Sequence, residues 1–106
     1  MAATGINEIR LTGSLVERSA LRLTPAGIPV VEAQLQCVSE VVEAGLVRNL
    51  DFCVSAIGIG PMAGQLERMS LGSRLDVEGF LAPRSRRSGR LVLHVTACRV
   101  AEQDGA

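Results

Sequence analysis

Gly72-Ser-Arg-Leu-Asp-Val-Glu-Gly-Phe-Leu-Ala-Pro83, Arg84-Ser-Arg-Arg-Ser-Gly-Arg90 and Leu91-Val-Leu-His-Val-Thr-Ala-Cys-Arg-Val100 run on from one another. In the first run Leu75, Val77 and Leu81 alternate with Asp76, Glu78 and Phe80. In the last run Leu91, Leu93, Val95 and Ala97 alternate with Val92, His94, Thr96 and Cys98. A period of two marks a strand with one face buried, so the stretch predicts a β-hairpin. Its tip carries Arg84, Arg86, Arg87 and Arg90. Four guanidiniums on one loop must meet an anion or stay in water. If Pro83 pairs with Leu91, Phe80 faces His94 across the strands.

Working outward, the chain has 106 residues and predicts one domain over 1–106, with an ordered core at about 6–100 and a short polar tail at 101–106. Nearly half the residues are apolar, which argues against disorder. Formal net charge is zero, so any polyanion must be met by a local patch. Every basic residue is arginine, whose planar fork matches phosphate and stacks on bases. Cys37, Cys53 and Cys98 are odd in number and widely spaced, which predicts buried free thiols in a reducing compartment. No apolar run approaches ~20 residues, so no membrane partner is expected and the location is cytoplasmic. No motif implies a cofactor or a metal. No Ser/His/Asp arrangement or glycine-rich phosphate loop is present, so an enzyme is not expected.

Upstream, Ile9, Leu11, Gly13 and Leu15 form the buried side of a first strand, and Gly13 predicts a bend or bulge. Leu21 to Leu23 is a short extended piece before a turn at Thr24–Gly27. Val31, Ala33, Leu35 and Cys37 define a second strand, and Glu43-Ala-Gly45 a turn. Leu50, Phe52, Val54 and Ala56 define a third strand, which places Phe52 in the core. Gly60-Pro61 ends it. Met62 to Met69 repeats at helical spacing, and Gly72 stops that helix. The order is three strands, one short helix and two strands. That is an all-β OB-fold, a five-stranded Greek-key barrel with one helix between strands three and four. A β-sandwich needs about seven strands.

Asn7-Glu-Ile-Arg-Leu-Thr-Gly-Ser-Leu15, Leu21-Arg-Leu-Thr-Pro-Ala-Gly-Ile-Pro29 and Leu71-Gly-Ser-Arg-Leu-Asp-Val-Glu-Gly-Phe80 resemble segments of the bacterial single-stranded-DNA-binding proteins. Glu43-Ala-Gly45 ahead of Arg48, and Leu91-Val-Leu-His94, resemble the branch formed by primosomal replication protein N. The similarity spans about residues 6–100. It implies an OB-fold homodimer that binds single-stranded DNA during replication restart, bridging the restart helicase PriA and the loader protein DnaT, without catalysis. The replicative binders end in a long acidic-tipped tail. This sequence stops at Ala106, soon after the last strand, which favours the restart branch.

The loop between strands four and five is an oligonucleotide-binding loop of the OB-fold. Arg84, Arg86 and Arg90 fall at about the family's basic positions, with Arg87 among them. Arg22 and Arg48 match basic positions on the first loop and at the third strand. Arg74 matches as well, and suits a structural ion pair equally. The family's aromatic position on strand three falls on Asp51, and two more of its basic positions fall on Leu23 and Val38. Phe80, outside the apolar face, is either a stacking platform for a base or a partner for a covering segment or dimer. The apolar second face of strand five, with Val92, Cys98 and Val100, favours a dimer. Two alternatives to a DNA-binding restart protein remain: an OB-fold interaction module of the primosome with weak DNA binding, or a tail-less relative of the replicative binder.

Overall fold

The structure, a computed structural model, describes residues 4–101. Its elements are β1 (Ile9–Arg18), β2 (Arg22–Leu23), β3 (Pro29–Glu43), β4 (Leu46–Ile59), α1 (Pro61–Arg68), β5 (Arg74–Pro83) and β6 (Leu91–Val100). The sheet order is β1-β5-β6-β4-β3-β2, and β1 also pairs with β3. That second pairing closes the five long strands into a barrel. Among the described residues only the β4–β6 pairing is parallel. With α1 between β4 and β5, this is the expected OB-fold.

Closure depends on β1 working along both edges. Ile9 to Ser14 pair with β5, and Ser14 to Arg18 pair with β3. The predicted bend falls at this changeover. Gly13 has no side chain there because a Cβ would sit 2.9 Å from Cys37 Sγ and 3.2 Å from the Gln36 carbonyl oxygen. The register shifts just after it, between Leu15 and Glu17.

The inward positions come from every long strand. Leu15, Leu35, Leu75, Val77 and Leu93 are fully enclosed, and Ala33, Ala56 and Val95 fill between them. Burying each leucine is worth about 2 kcal/mol. α1 closes one end, with Ala63 and Leu66 packed on Val31. It runs one residue ahead of the expected Met62–Met69, because Pro61 occupies its first turn, where a missing N–H costs nothing.

Three expectations are corrected. The β3–β4 hairpin runs on to Glu43 and Leu46, well past the barrel. Its turn, Ala44-Gly45, has both residues at positive φ, 53° and 76°. Phe52 does lie on the inner side of β4, opposite Cys37, yet it is 40 % exposed, because the barrel has ended by that point. Cys53 lies on the outward face and is exposed, so only two of the three thiols are shielded.

The third correction concerns β6. Glu78 faces Ala97 and Gly79 faces Val95, leaving Thr96 unopposed in a β-bulge. The alternation inverts there. Cys98 turns inward and packs against both core clusters, while Ala97 is exposed. Val92 is buried within the chain too, so of the face expected to need an outside cover only Val100 stays open. Gly79 permits the bulge, since a Cβ there would lie 1.9 Å from the His94 carbonyl oxygen.

At the ends of the described region, Ala101 is buried and its N–H donates to the Arg74 carbonyl (2.8 Å). The rest of the expected polar tail, 102–106, and Met1 to Ala3 lie outside the described residues. No helix among the described residues is long and apolar enough to cross a membrane.

Candidate nucleic-acid interface

The β5–β6 loop follows the expected register, with Pro83 opposite Leu91 and Phe80 opposite His94. Its backbone is pinned from within. The Arg84 N–H donates to the Arg90 carbonyl (2.9 Å), and the Arg90 N–H donates to Ser88 Oγ (3.0 Å). The Ser88 N–H donates to Ser85 Oγ (3.2 Å). This lifts Arg86 and Arg87 to the tip, exposed. Among the described residues, neither they nor Arg90 form an ion pair.

Arg84 behaves differently. Its Nη2 donates to Glu32 Oε1 at 2.7 Å. Arg22, on β2, donates from Nη2 to the other oxygen, Oε2, at 3.3 Å. One carboxylate of β3 thus spans the first loop and the β5–β6 loop, from which its partners lie 10 and 52 residues away in sequence. Glu32 is fixed by its backbone. Its N–H donates to Ser19 Oγ (2.9 Å), and its carbonyl accepts from the Ser19 N–H (2.8 Å).

Strand register extends this point into a row. Glu32 lies opposite Ile57, Ile57 opposite His94, and His94 opposite Phe80. Directly paired residues share a face of a sheet. At about 4.8 Å per strand, Phe80 stands about 14 Å along the row from Glu32. Phe80 and His94 are stacked, with ring centroids 4.9 Å apart and planes 11° from parallel. The outer surface therefore carries a two-arginine clamp at one end and a ring pair at the other, with the arginine loop beside them.

Farther along β3 and β4 the same face turns polar. Gln34 Nε2 donates to Ser55 Oγ (2.8 Å), and Gln36 Nε2 donates to Asp51 Oδ1 (3.1 Å). Asp51, at the expected ring position, is exposed and opposite Val38. Leu23 and Val38 are exposed apolar residues. Arg48 is remote from the loop cluster. It pairs with Glu43 beside the hairpin turn and faces Val41, on the side of the ribbon away from Asp51. Arg74 is exposed and makes no ion pair among the described residues.

The structure therefore brings Arg22 and Arg84 together, lifts Arg86, Arg87 and Arg90 beside them, sets Phe80 on His94 and leaves Arg48 apart. The sequence reading missed Glu32, for which a strand pattern offers no signal beyond a polar position. Burial pushes the Cys37 thiol up, with Cys53 adding to it. It does the same for Cys98, helped by Asp76. Both stay protonated and poorly nucleophilic.

Residues 7–97 match a family model described as another single-strand binding protein family. The replication restart protein PriB of Bordetella pertussis is 39 % identical over 94 residues, covering 89 % of this chain and 88 % of that protein. PriB of Nitrosomonas europaea is 35 % identical over 94 residues, covering 89 % and 87 %. Among solved structures, PriB of Ralstonia solanacearum superposes with a TM-score of 0.84 at 38 % identity, over 92 % of this chain and 100 % of that one. The single-stranded DNA binding protein of Thermus aquaticus shares the fold, with a TM-score of 0.76 at 23 % identity, over 97 % of this chain and 53 % of that one. A barrel with this strand order, matched along nearly its whole length, places the chain: it belongs to the single-strand binding protein family, in the branch of the replication restart protein PriB.

Proposed function

We propose that the protein binds single-stranded DNA in replication restart, as a cytoplasmic homodimer and a binding protein without catalysis. The observation that carries this reading is the outer surface of the barrel. There Arg86, Arg87 and Arg90 stand without acidic partners among the described residues, next to Arg22 and Arg84 and to the stacked Phe80 and His94. Guanidiniums take phosphate, and an exposed ring takes the face of any base. The names of the relatives agree with that chemistry. Arg48 contributes from a separate place, at the hairpin end. The dimer rests on two features of a single copy. The Ile9–Gly13 stretch of β1 has no strand along its second edge among the described residues, and the hairpin exposes Val38, Val42, Leu46 and Val47. In this reading the dimer bridges the restart helicase and the loader.

If the loop neutralises ~4 phosphates per protomer, the single-strand salt slope is about −2.8, so raising salt from ~50 to ~200 mM costs roughly 50-fold in affinity. Fluorescence anisotropy with labelled oligo-dT is the test, on wild type and on the Arg84/Arg86/Arg87/Arg90→Ala variant. The variant is expected to lose the salt-dependent binding. A wild-type slope near zero sinks the proposal.

A second reading is favoured by Asp51. With an acid at the expected ring position and apolar side chains at Leu23 and Val38, the protein is an interaction module of the primosome in which DNA contact is slight. Weak, equal binding by wild type and the arginine variant supports it.

A further inference from the structure

Two of the arginines offered to DNA share a single acid. Arg84 Nη2 and Arg22 Nη2 each hold one oxygen of Glu32, at 2.7 and 3.3 Å. A carboxylate oxygen and a phosphate oxygen make the same kind of charge-assisted bond to a guanidinium. Glu32 is the more enclosed partner, with its side chain 33 % exposed against 56 % for Arg22 and 51 % for Arg84. The Glu32 main chain is tied to Ser19 through both its N–H and its carbonyl, which sets the point on β3 from which the carboxylate reaches both arginines.

We propose that Glu32 is an internal stand-in for a DNA phosphate, a latch that ties the β2 segment to the β5–β6 loop across the outer face of the barrel and must be displaced when a strand binds. This rests on the DNA-binding reading above and adds its regulation. An arriving strand first meets Arg86, Arg87 and Arg90. Arg84 and Arg22 then exchange Glu32 for phosphate, which frees the loop to follow the strand. The latch costs affinity and sets a threshold: a single phosphate or a short anion gains too few contacts to open it, whereas a strand long enough to engage the loop tip does.

Glu32→Gln is isosteric and lies outside the core. Anisotropy with labelled oligo-dT across a salt series compares wild type, Glu32→Gln and Glu17→Gln. Glu17 is exposed, lines the same groove and makes no ion pair among the described residues, so its substitution changes net charge equally without touching the latch. Exposed pairs are individually weak, so Glu32→Gln is expected to bind about 3–10-fold tighter, with the salt slope of wild type, since both proteins neutralise the same phosphates once the latch is open. Glu17→Gln is expected to change little. In an Arg84→Ala background the gain from Glu32→Gln should shrink to at most about 2-fold, because the two substitutions act on one contact. Binding by Glu32→Gln equal to or weaker than wild type, while wild type keeps its salt-dependent binding, overturns the latch alone and makes Glu32 a support for the arginines. An equal gain from Glu17→Gln overturns it as a general charge effect. Absence of salt-dependent binding in both wild type and Glu32→Gln overturns the DNA-binding reading and the latch with it.

Discussion

The same two strands, β3 and β4, behave differently at their two ends. From Val30 to Cys37, opposite Ile59 back to Phe52 at the barrel's end, alternation sends Val31, Ala33, Leu35 and Cys37 into the closed barrel, where they are buried. From Val38 to Glu43, paired with Leu46 to Asp51, the ladder continues, but among the described residues no other strand pairs with the ribbon. Val42 is 71 % exposed and Leu46 is 69 % exposed. Period two states which side a residue faces. It does not state whether anything lies on that side. A two-stranded ribbon is marginal on its own, so the hairpin borrows its stability from the barrel at its root and presents apolar surface to whatever it meets.

That contrast can be broken by substitution. Leu35→Ala, in the barrel, should cost about 3 kcal/mol by urea unfolding, since it opens a cavity among side chains that cannot collapse. Phe52→Ala is the sharper test. A core phenylalanine would cost as much or more, but at 40 % exposure the loss should be near ~1 kcal/mol; a cost of ~3 kcal/mol would mean that the ribbon is covered in solution. Ala44→Gly should raise stability by about 0.5 kcal/mol, because left-handed backbone strains a residue with a Cβ at φ 53° while glycine is free of that strain. Thermal melting of the two proteins side by side reads this difference. Smallest of all, Val42→Ser at the ribbon end should shift stability by less than about 0.5 kcal/mol. If it also alters oligomeric state by sedimentation, the ribbon is part of the contact between copies.

The β5–β6 hairpin shows how far local pattern carries. The pairing of Pro83 with Leu91 and of Phe80 with His94 was legible in the sequence, because a hairpin register follows from its loop and its alternation. The pattern failed four residues later. The bulge opposite Gly79 adds Thr96 to one strand, and a one-residue slip sends Cys98 to the opposite face from the one expected. Gly79 was visible in the sequence, but its need to lie against the His94 carbonyl was not.

By itself the sequence determined the element order, the turns at Thr24–Gly27 and Ala44-Gly45, the short helix behind Pro61, the arginine loop and the ring pair beneath it. These depend on residues near one another along the chain or facing one another in a single hairpin. Tertiary structure alone decided where the barrel stops along β3 and β4, and so whether Phe52 is core or surface. It alone brought Glu32 between Arg22 and Arg84. Both outcomes depend on strands distant in sequence meeting at a particular point: burial is set by what the neighbouring elements cover, and an ion pair by which loops a closed barrel brings to the same rim.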